Sequence, residues 1–343
     1  MNIQHLIDDA LEIAVVPSFS RVGYAVRRRL YDWTPPPPDS LRGRTVLVTG
    51  PTSGLGRAAT DRLADLGARI VLVGRSEERL VAVRDELIRI HGEDRFRTVV
   101  ADMSSLVSVR AAVARILEGE SRLDVVIDNA GAIFPDRRDS ADGFEATFAT
   151  MVVGPFAMVG RLLPLLRRTG GARVVAVTSG GMYAQALRLD DLQWERARFD
   201  GARVYAHAKR AQVSLMREWA RRVTPDEVAF SAMHPGWADT PGISAALPRF
   251  YGVMGPILRT PDEGADTAVW LAADPAASGA AVSGRLFLDR RERLFDRIPT
   301  TRVSAADRRE LWDVVVESAG MTDPVPTPDP RSTTERPTHG ATA

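Results

Sequence analysis

The sequence predicts a doubly wound, three-layer α/β domain built on a parallel sheet, and three observations carry the prediction. Short β-branched runs recur at 44–49, 68–73, 96–101, 123–127, 173–178, 228–233 and 285–288, separated by stretches long enough to hold helices. Each run is close to continuously apolar, as expected of strands covered on both faces. The first run also ends in a glycine-rich turn that leads into a helical stretch, the place where such a sheet binds ligands at the carboxyl ends of its strands.

Residues 1–40 read as an N-terminal arm. Its apolar run 11–16 is interrupted by Glu12 and ends at Pro17, far short of the roughly 20 residues of a membrane span. The acidic flank Asp8-Asp9 does not suit a secretory signal. Phe19, Val22, Val26, Leu30 and Trp33 then form an apolar stripe at helical spacing, with Arg21 and Arg28 opposite and Arg27 and Arg29 at its flanks. Two readings stay open for residues 18–33: packing on the main domain, or peripheral contact with a membrane surface or a partner. Pro35 to Pro38 form a stiff spacer, after which the main domain is expected over 41–320. Residues 321–343 are rich in Pro, Thr, Asp and Arg, and a disordered tail is expected there.

Composition narrows the function classes. At 45% hydrophobic and 26% charged, the 343 residues describe an ordinary globular protein. Forty-five basic residues against 44 acidic ones leave a formal charge of +1, too little field for a nucleic-acid partner. The absence of Cys excludes disulfides, thiolate zinc sites and cysteine nucleophiles, and the expected location is cytoplasmic, with the membrane surface as the alternative for the arm. The five histidines are far apart, so no metal site is expected. All the basic residues but one are Arg; the exception is Lys209, and Asn occurs only at Asn2 and Asn129. In a chain that uses Arg wherever charge suffices, a surviving lysine marks a place where a compact ammonium is wanted.

The turn after the first strand reads Thr49-Gly50-Pro51-Thr52-Ser53-Gly54-Leu55-Gly56. Gly50 permits the tight turn, Gly54 lets a pyrophosphate approach the backbone, and Gly56 lets the next helix pack closely. Thr52, Ser53 and Leu55 complete this candidate cofactor turn. The second strand ends Val73-Gly74-Arg75-Ser76, without the acid that would hold the adenosine ribose of NAD(H), so Arg75 favours NADP(H). Asp102 follows the third strand and can accept from the adenine amine, while Asn129-Ala130-Gly131 follows the fourth; either is also explained by turn chemistry.

At the other end of the cleft, Tyr205 and Lys209 stand four residues apart on one helical face. An ammonium beside a phenol stabilises phenolate and lowers a pKa that starts near 10. Ser179 ends the fifth strand, where it can polarise a carbonyl oxygen. The glycine turn, Asn129-Ala130-Gly131, Ser179 and the Tyr205-x-x-x-Lys209 pair occur in the order that marks the short-chain dehydrogenase/reductase superfamily, and residues 42–290 resemble it. A closer likeness, to one orphan branch of that superfamily, rests on Ser179-Gly180-Gly181-Met182, Phe199-Asp200-Gly201 and the run 233–242.

The resemblance implies a Rossmann-type fold in which Tyr205 is the acid/base, Lys209 binds the nicotinamide ribose and lowers the tyrosine pKa, and Ser179 holds the substrate oxygen. It further implies that Pro235, Gly236 and Thr240 line the nicotinamide side, that 241–259 is a mobile lid, and that the chain can form homo-oligomers. His234 reads as a packing residue. One departure stands out: the superfamily's fourth catalytic residue, an Asn, aligns with Met151. The expected function is an NADP(H)-dependent oxidoreductase acting on a lipophilic small-molecule alcohol, ketone or aldehyde. The rival is a catalytically weak dinucleotide-binding sensor or scaffold.

Overall fold

Strand residues that alternate between two apolar faces need a helical layer on each side, and the computed structural model, which describes residues 3–92 and 95–326, has that arrangement. In β1 (Thr45–Thr49), Val46 and Val48 enter one core while Leu47 enters the other. The same division holds in β2 (Arg69–Gly74), β3 (Phe96–Val100), β4 (Val125–Asp128), β5 (Ala172–Val177) and β6 (Val228–Met233). With β7 (Leu286–Leu288) and β8 (Arg291–Arg293) they form one sheet in the order β3-β2-β1-β4-β5-β6-β7-β8. All neighbours are parallel except β7 and β8, whose antiparallel pair adds an edge that the apolar runs did not foretell.

Helices α4 (Gly54–Asp65), α5 (Glu77–His91) and α12 (Pro261–Ala273) cover one face. The other is covered by α6 (Leu106–Gly119), α8 (Gly154–Thr169), α9 (Gly201–Arg222) and α13 (Ala305–Ser318). A short helix α7 (Ala146–Phe148) runs through one π-helical turn, Ala149–Val153, into α8. The stretch Ala146–Thr169 is long and apolar enough to cross a membrane, but it is a core helix, buried over most of its length. Strand order reverses between β1 and β4, and the crevice at their carboxyl ends is the predicted ligand site.

The arm forms α1 (Ile3–Ile13), α2 (Val15–Phe19) and α3 (Arg21–Leu30), and it packs on the domain. Phe19 and Tyr24 are buried, and Arg27 is completely so, held by Asp8, Glu12 and Asp289 at 2.6, 2.9 and 2.8 Å. Asp8 is buried, which alone would raise its pKa, yet hydrogen bonds and charge from Arg293 and Arg27 hold it at about 2. Of the stripe in residues 18–33, Phe19 thus serves intramolecular packing, while Val22 stays exposed, as do Ile3, Leu6, Ile7 and Ile13 on α1.

At the other end, residues 321–326 of the expected disordered tail fold back on the domain. Asp323 accepts from Arg222 and from the Trp312 indole, both at 3.1 Å, and Met321 lies against Gly160. Polar and proline-rich composition does not register such anchoring by one aspartate and one methionine. The rest of the tail, 327–343, lies outside the described residues.

Candidate active site

The glycine turn is shaped by what cannot fit there. Gly50 and Gly54 adopt φ of +68° and +54°, a region that side-chain-bearing residues rarely enter. A Cβ on Gly56 would lie 2.1 Å from Gly50 O and 2.4 Å from Asn129 Nδ2, so helix α4 can start here only with glycine. Asn129 ties the turn to β4: its Nδ2 donates to Thr49 O and Gly50 O at 2.9 and 3.2 Å, and its own N–H and that of Ala130 reach Thr49 Oγ1. The Ser53 side chain makes no capping bond at the start of α4, which leaves first-turn amide donors open toward the cleft, as a phosphate requires.

That cleft has a volume of about 650 Å³, within the range of small-molecule sites. The fold brings all the predicted site residues to its wall: Gly50, Thr52–Gly56, Arg75, Asp102, Asn129–Gly131, Ser179, Tyr205, Lys209, Pro235, Gly236 and Thr240. Asp102 also accepts from Ser104 N and Oγ, which is turn chemistry at the edge of the cleft. Thr240 caps the short helix α10 (Pro241–Ala246), which opens the expected lid, and lies beside Gly54, so this segment and the glycine turn meet at the cleft. Of the lid's apolar residues, Ile243 and Phe250 reach the wall together with Trp237, whose ring stands 5.3 Å from that of Phe250.

Helix α9 begins at Asp200, whose carboxylate accepts from Arg203 N, and it carries Tyr205, Lys209 and Gln212 on one face. Ser179 and Tyr205 share the wall of the cleft, with the serine hydroxyl near enough to the phenol to favour its ionised form. Burial pushes that phenol up to about 12, with the Ser179 hydroxyl acting the other way. Lys209 is buried, and burial pulls its ammonium down to about 8 against the opposing charge of Asp128. Its Nζ lies 5.7 Å from the centre of the Tyr205 ring and donates to Val177 O at 2.8 Å and Gln212 Oε1 at 3.1 Å. The lysine is therefore placed behind the tyrosine, and in this geometry desolvation outweighs any pull of the ammonium on the phenol.

Met151 sits on the π-helical turn, fully buried. A methyl on Gly131 would lie 2.9 Å from its sulfur and 3.7 Å from Lys209 Nζ, so thioether and ammonium both border Gly131. His234 is buried between the rings of Phe19 and Tyr183 at 4.8 and 5.7 Å, as its packing assignment requires.

Sequence reasoning missed four contributors. Arg79, at the start of α5, lines the cleft next to Arg75, and its position one turn further along the chain was a usable signal. Gln212 and Asp128 stand behind Lys209, the first at helical spacing from it and the second adjacent to Asn129. Phe19 comes from the arm: its ring meets Gly180 and its carbonyl accepts from Trp237 N at 2.7 Å, bracing the wall behind Ser179. Nothing local to Phe19 announces that contact.

Residues 44–247 match the short chain dehydrogenase family. The chain is 39% identical over 288 residues to dehydrogenase/reductase SDR family member 12 of Bos taurus, covering 82% of this chain and 89% of that one. It is 34% identical over 302 residues to retinol dehydrogenase 14 of Mus musculus, covering 83% and 88%. Among solved structures, the Pseudomonas aeruginosa RhlG/NADP active-site complex aligns with a TM-score of 0.59 at 26% identity, over 73% of this chain and 96% of that one. The glycine cradle, the open amide donors of α4 and the Ser179–Tyr205–Lys209 cluster fit a nicotinamide dinucleotide site, and the chain belongs to the short-chain dehydrogenase/reductase family of alcohol and carbonyl oxidoreductases.

Proposed function

We propose that the protein is an NADP(H)-dependent oxidoreductase that interconverts an alcohol and a ketone or aldehyde on a lipophilic small molecule. The observation that carries this reading is the placement of Ser179, Tyr205 and Lys209 together on the wall of the cleft that contains the glycine turn. When bound, the nicotinamide supplies or accepts the hydride. Ser179 holds the substrate oxygen, and Tyr205 gives that oxygen a proton in reduction and takes one in oxidation. Lys209 has three N–H donors, two of them engaged, and the third serves the cofactor side.

The phosphate preference rests on Arg75 and Arg79 at the adenosine end and on the lack of an acid in Val73-Gly74-Arg75-Ser76, where β2 ends. NADPH is expected to bind more tightly than NADH. Arg75→Ala should weaken NADPH by about tenfold to a hundredfold, the worth of a charge-assisted hydrogen bond, with little change for NADH. Fluorescence titration of both cofactors checks this, and equal affinities in the parent protein would remove the role given to Arg75. A lipophilic substrate is supported by Trp237, Ile243 and Phe250 at the cleft and by the likeness to a retinol dehydrogenase.

A panel of lipid aldehydes, ketosteroids and quinones, read as NADPH oxidation, tests the reading as a whole; turnover of one of them is the expected result. Met151 is the observation behind the rival reading, a dinucleotide-binding sensor with weak catalysis. Tight NADPH binding with no turnover across the panel, together with turnover restored by Met151→Asn, would establish the rival.

A further inference from the structure

Behind Tyr205 a buried polar line continues away from the cleft. Lys209 donates to Gln212 Oε1, and Gln212 Nε2 donates at 2.7 Å to Asp128 Oδ2. Each of the three side chains is within about 3% of full burial. The other carboxyl oxygen, Asp128 Oδ1, has no hydrogen-bond partner among the described residues, and Asp128, Gln212 and Met151 together line a void of about 10 Å³. Two ionisable groups in one such line are costly to bury, several kcal/mol for each ion by the usual reckoning, unless each supports the other. An apolar pair at 128 and 212 would pack there without that cost. The carboxyl is therefore hard to explain as packing, and its link to Lys209 through one amide gives it something to act on.

We infer that Asp128 and Gln212 are positioning residues for the proposed reaction: they keep the Lys209 ammonium charged and turned toward the cleft, replacing the polar support that Met151 does not give. The inference rests on the reading of Tyr205 and Lys209 as the reacting pair. Gln212 is a suitable bridge because an amide presents an oxygen to the ammonium and an N–H to the carboxylate at once. The groups that face Lys209 come from several elements. β4 brings Asp128, β5 the Val177 carbonyl, and its own helix Tyr205 and Gln212, while the Met151 thioether of the π-helical turn borders the same Gly131. Asp128 is the charge that opposes desolvation of the ammonium. Desolvation in turn pushes Asp128 upward, with Lys209 and Gln212 resisting. Without the carboxylate, Lys209 should lose its proton at a lower pH.

Because Lys209 is the sole lysine in 343 residues, lysine labelled at Cε with carbon-13 gives one NMR signal, and its titration reads this ammonium directly in the full-length chain. The expected midpoint of about 8 should fall by about one pH unit in Asp128→Asn, the usual reach of a nearby opposite charge. Carbonyl reduction by that variant should drop about fivefold at pH 8 and recover at pH 6, a rescue that a mere packing defect would not show. Should Asp128→Asn fail to fold, Gln212→Leu cuts the same bridge and should lower the midpoint too. An unchanged midpoint in a folded variant, or a loss of rate equal at both pH values, overturns the inference. A shifted midpoint in a protein that turns over no carbonyl upholds the link between Asp128 and Lys209 and overturns the proposed function instead.

Discussion

Tyr205→Phe is expected to lower kcat for carbonyl reduction by about 10²- to 10⁴-fold, the range that a positioned general acid supplies. The substitution removes one oxygen and keeps the ring that packs beside Lys209, so NADPH affinity should stay close to that of the parent protein. Loss of turnover without loss of cofactor is the signature of a proton donor. A variant that keeps more than a tenth of the parent rate would show that the proton comes from elsewhere. The pH dependence follows from the same geometry. A phenol pushed up to about 12 is protonated throughout the neutral range, the form needed to donate in reduction. Lys209, drawn down to about 8, is charged below that pH and neutral above it. Reduction should therefore hold steady at neutral pH and decline as pH rises through about 8, and stopped-flow rates across that range would read it.

Asp289→Asn is expected to destabilise the fold by about 3–5 kcal/mol, because it removes the anion shared by two buried guanidinium groups. Asp289 accepts from Arg27 at 2.8 Å and from both terminal nitrogens of Arg259 at 2.6 and 2.9 Å, and none of the three is more than 1% exposed. Asn keeps the shape and tolerates the left-handed backbone at this position, φ +55°, so the variant isolates the charge. Urea denaturation should show an earlier midpoint, and a loss under about 1 kcal/mol would mean that the arm is held without need of the Asp289 charge. Arg259 also donates to the carbonyls of Ser18 and Phe19, which ties the cluster to the wall behind Ser179. Loosening the arm should therefore raise KM for the carbonyl substrate as well. Removing residues 1–38 outright would strip Arg27 and Phe19 from buried positions, so the arm is part of the fold's interior.

The sequence by itself determined the sheet, the turn and the spacing of Tyr205 and Lys209, because each signal lies within one strand, one turn or one helix face, where chain geometry fixes which residues share a side. The arginine excess made Lys209 visible, and the resemblance singled out Met151, which borders the same glycine, Gly131, as that lysine. What lay behind the lysine was hidden. Asp128 and Gln212 are 84 residues apart, and Arg27 and Asp289 are 262 apart. A charged residue reads the same in sequence whether it ends in solvent or in the core, so the stripe of residues 18–33 left both packing and surface contact open. Only the tertiary structure decided that Phe19 packs on Gly180 beside Ser179, that residues 321–326 fold back, and that β8 closes the sheet antiparallel. Those outcomes depend on which distant segments are brought together, and no local period encodes that choice.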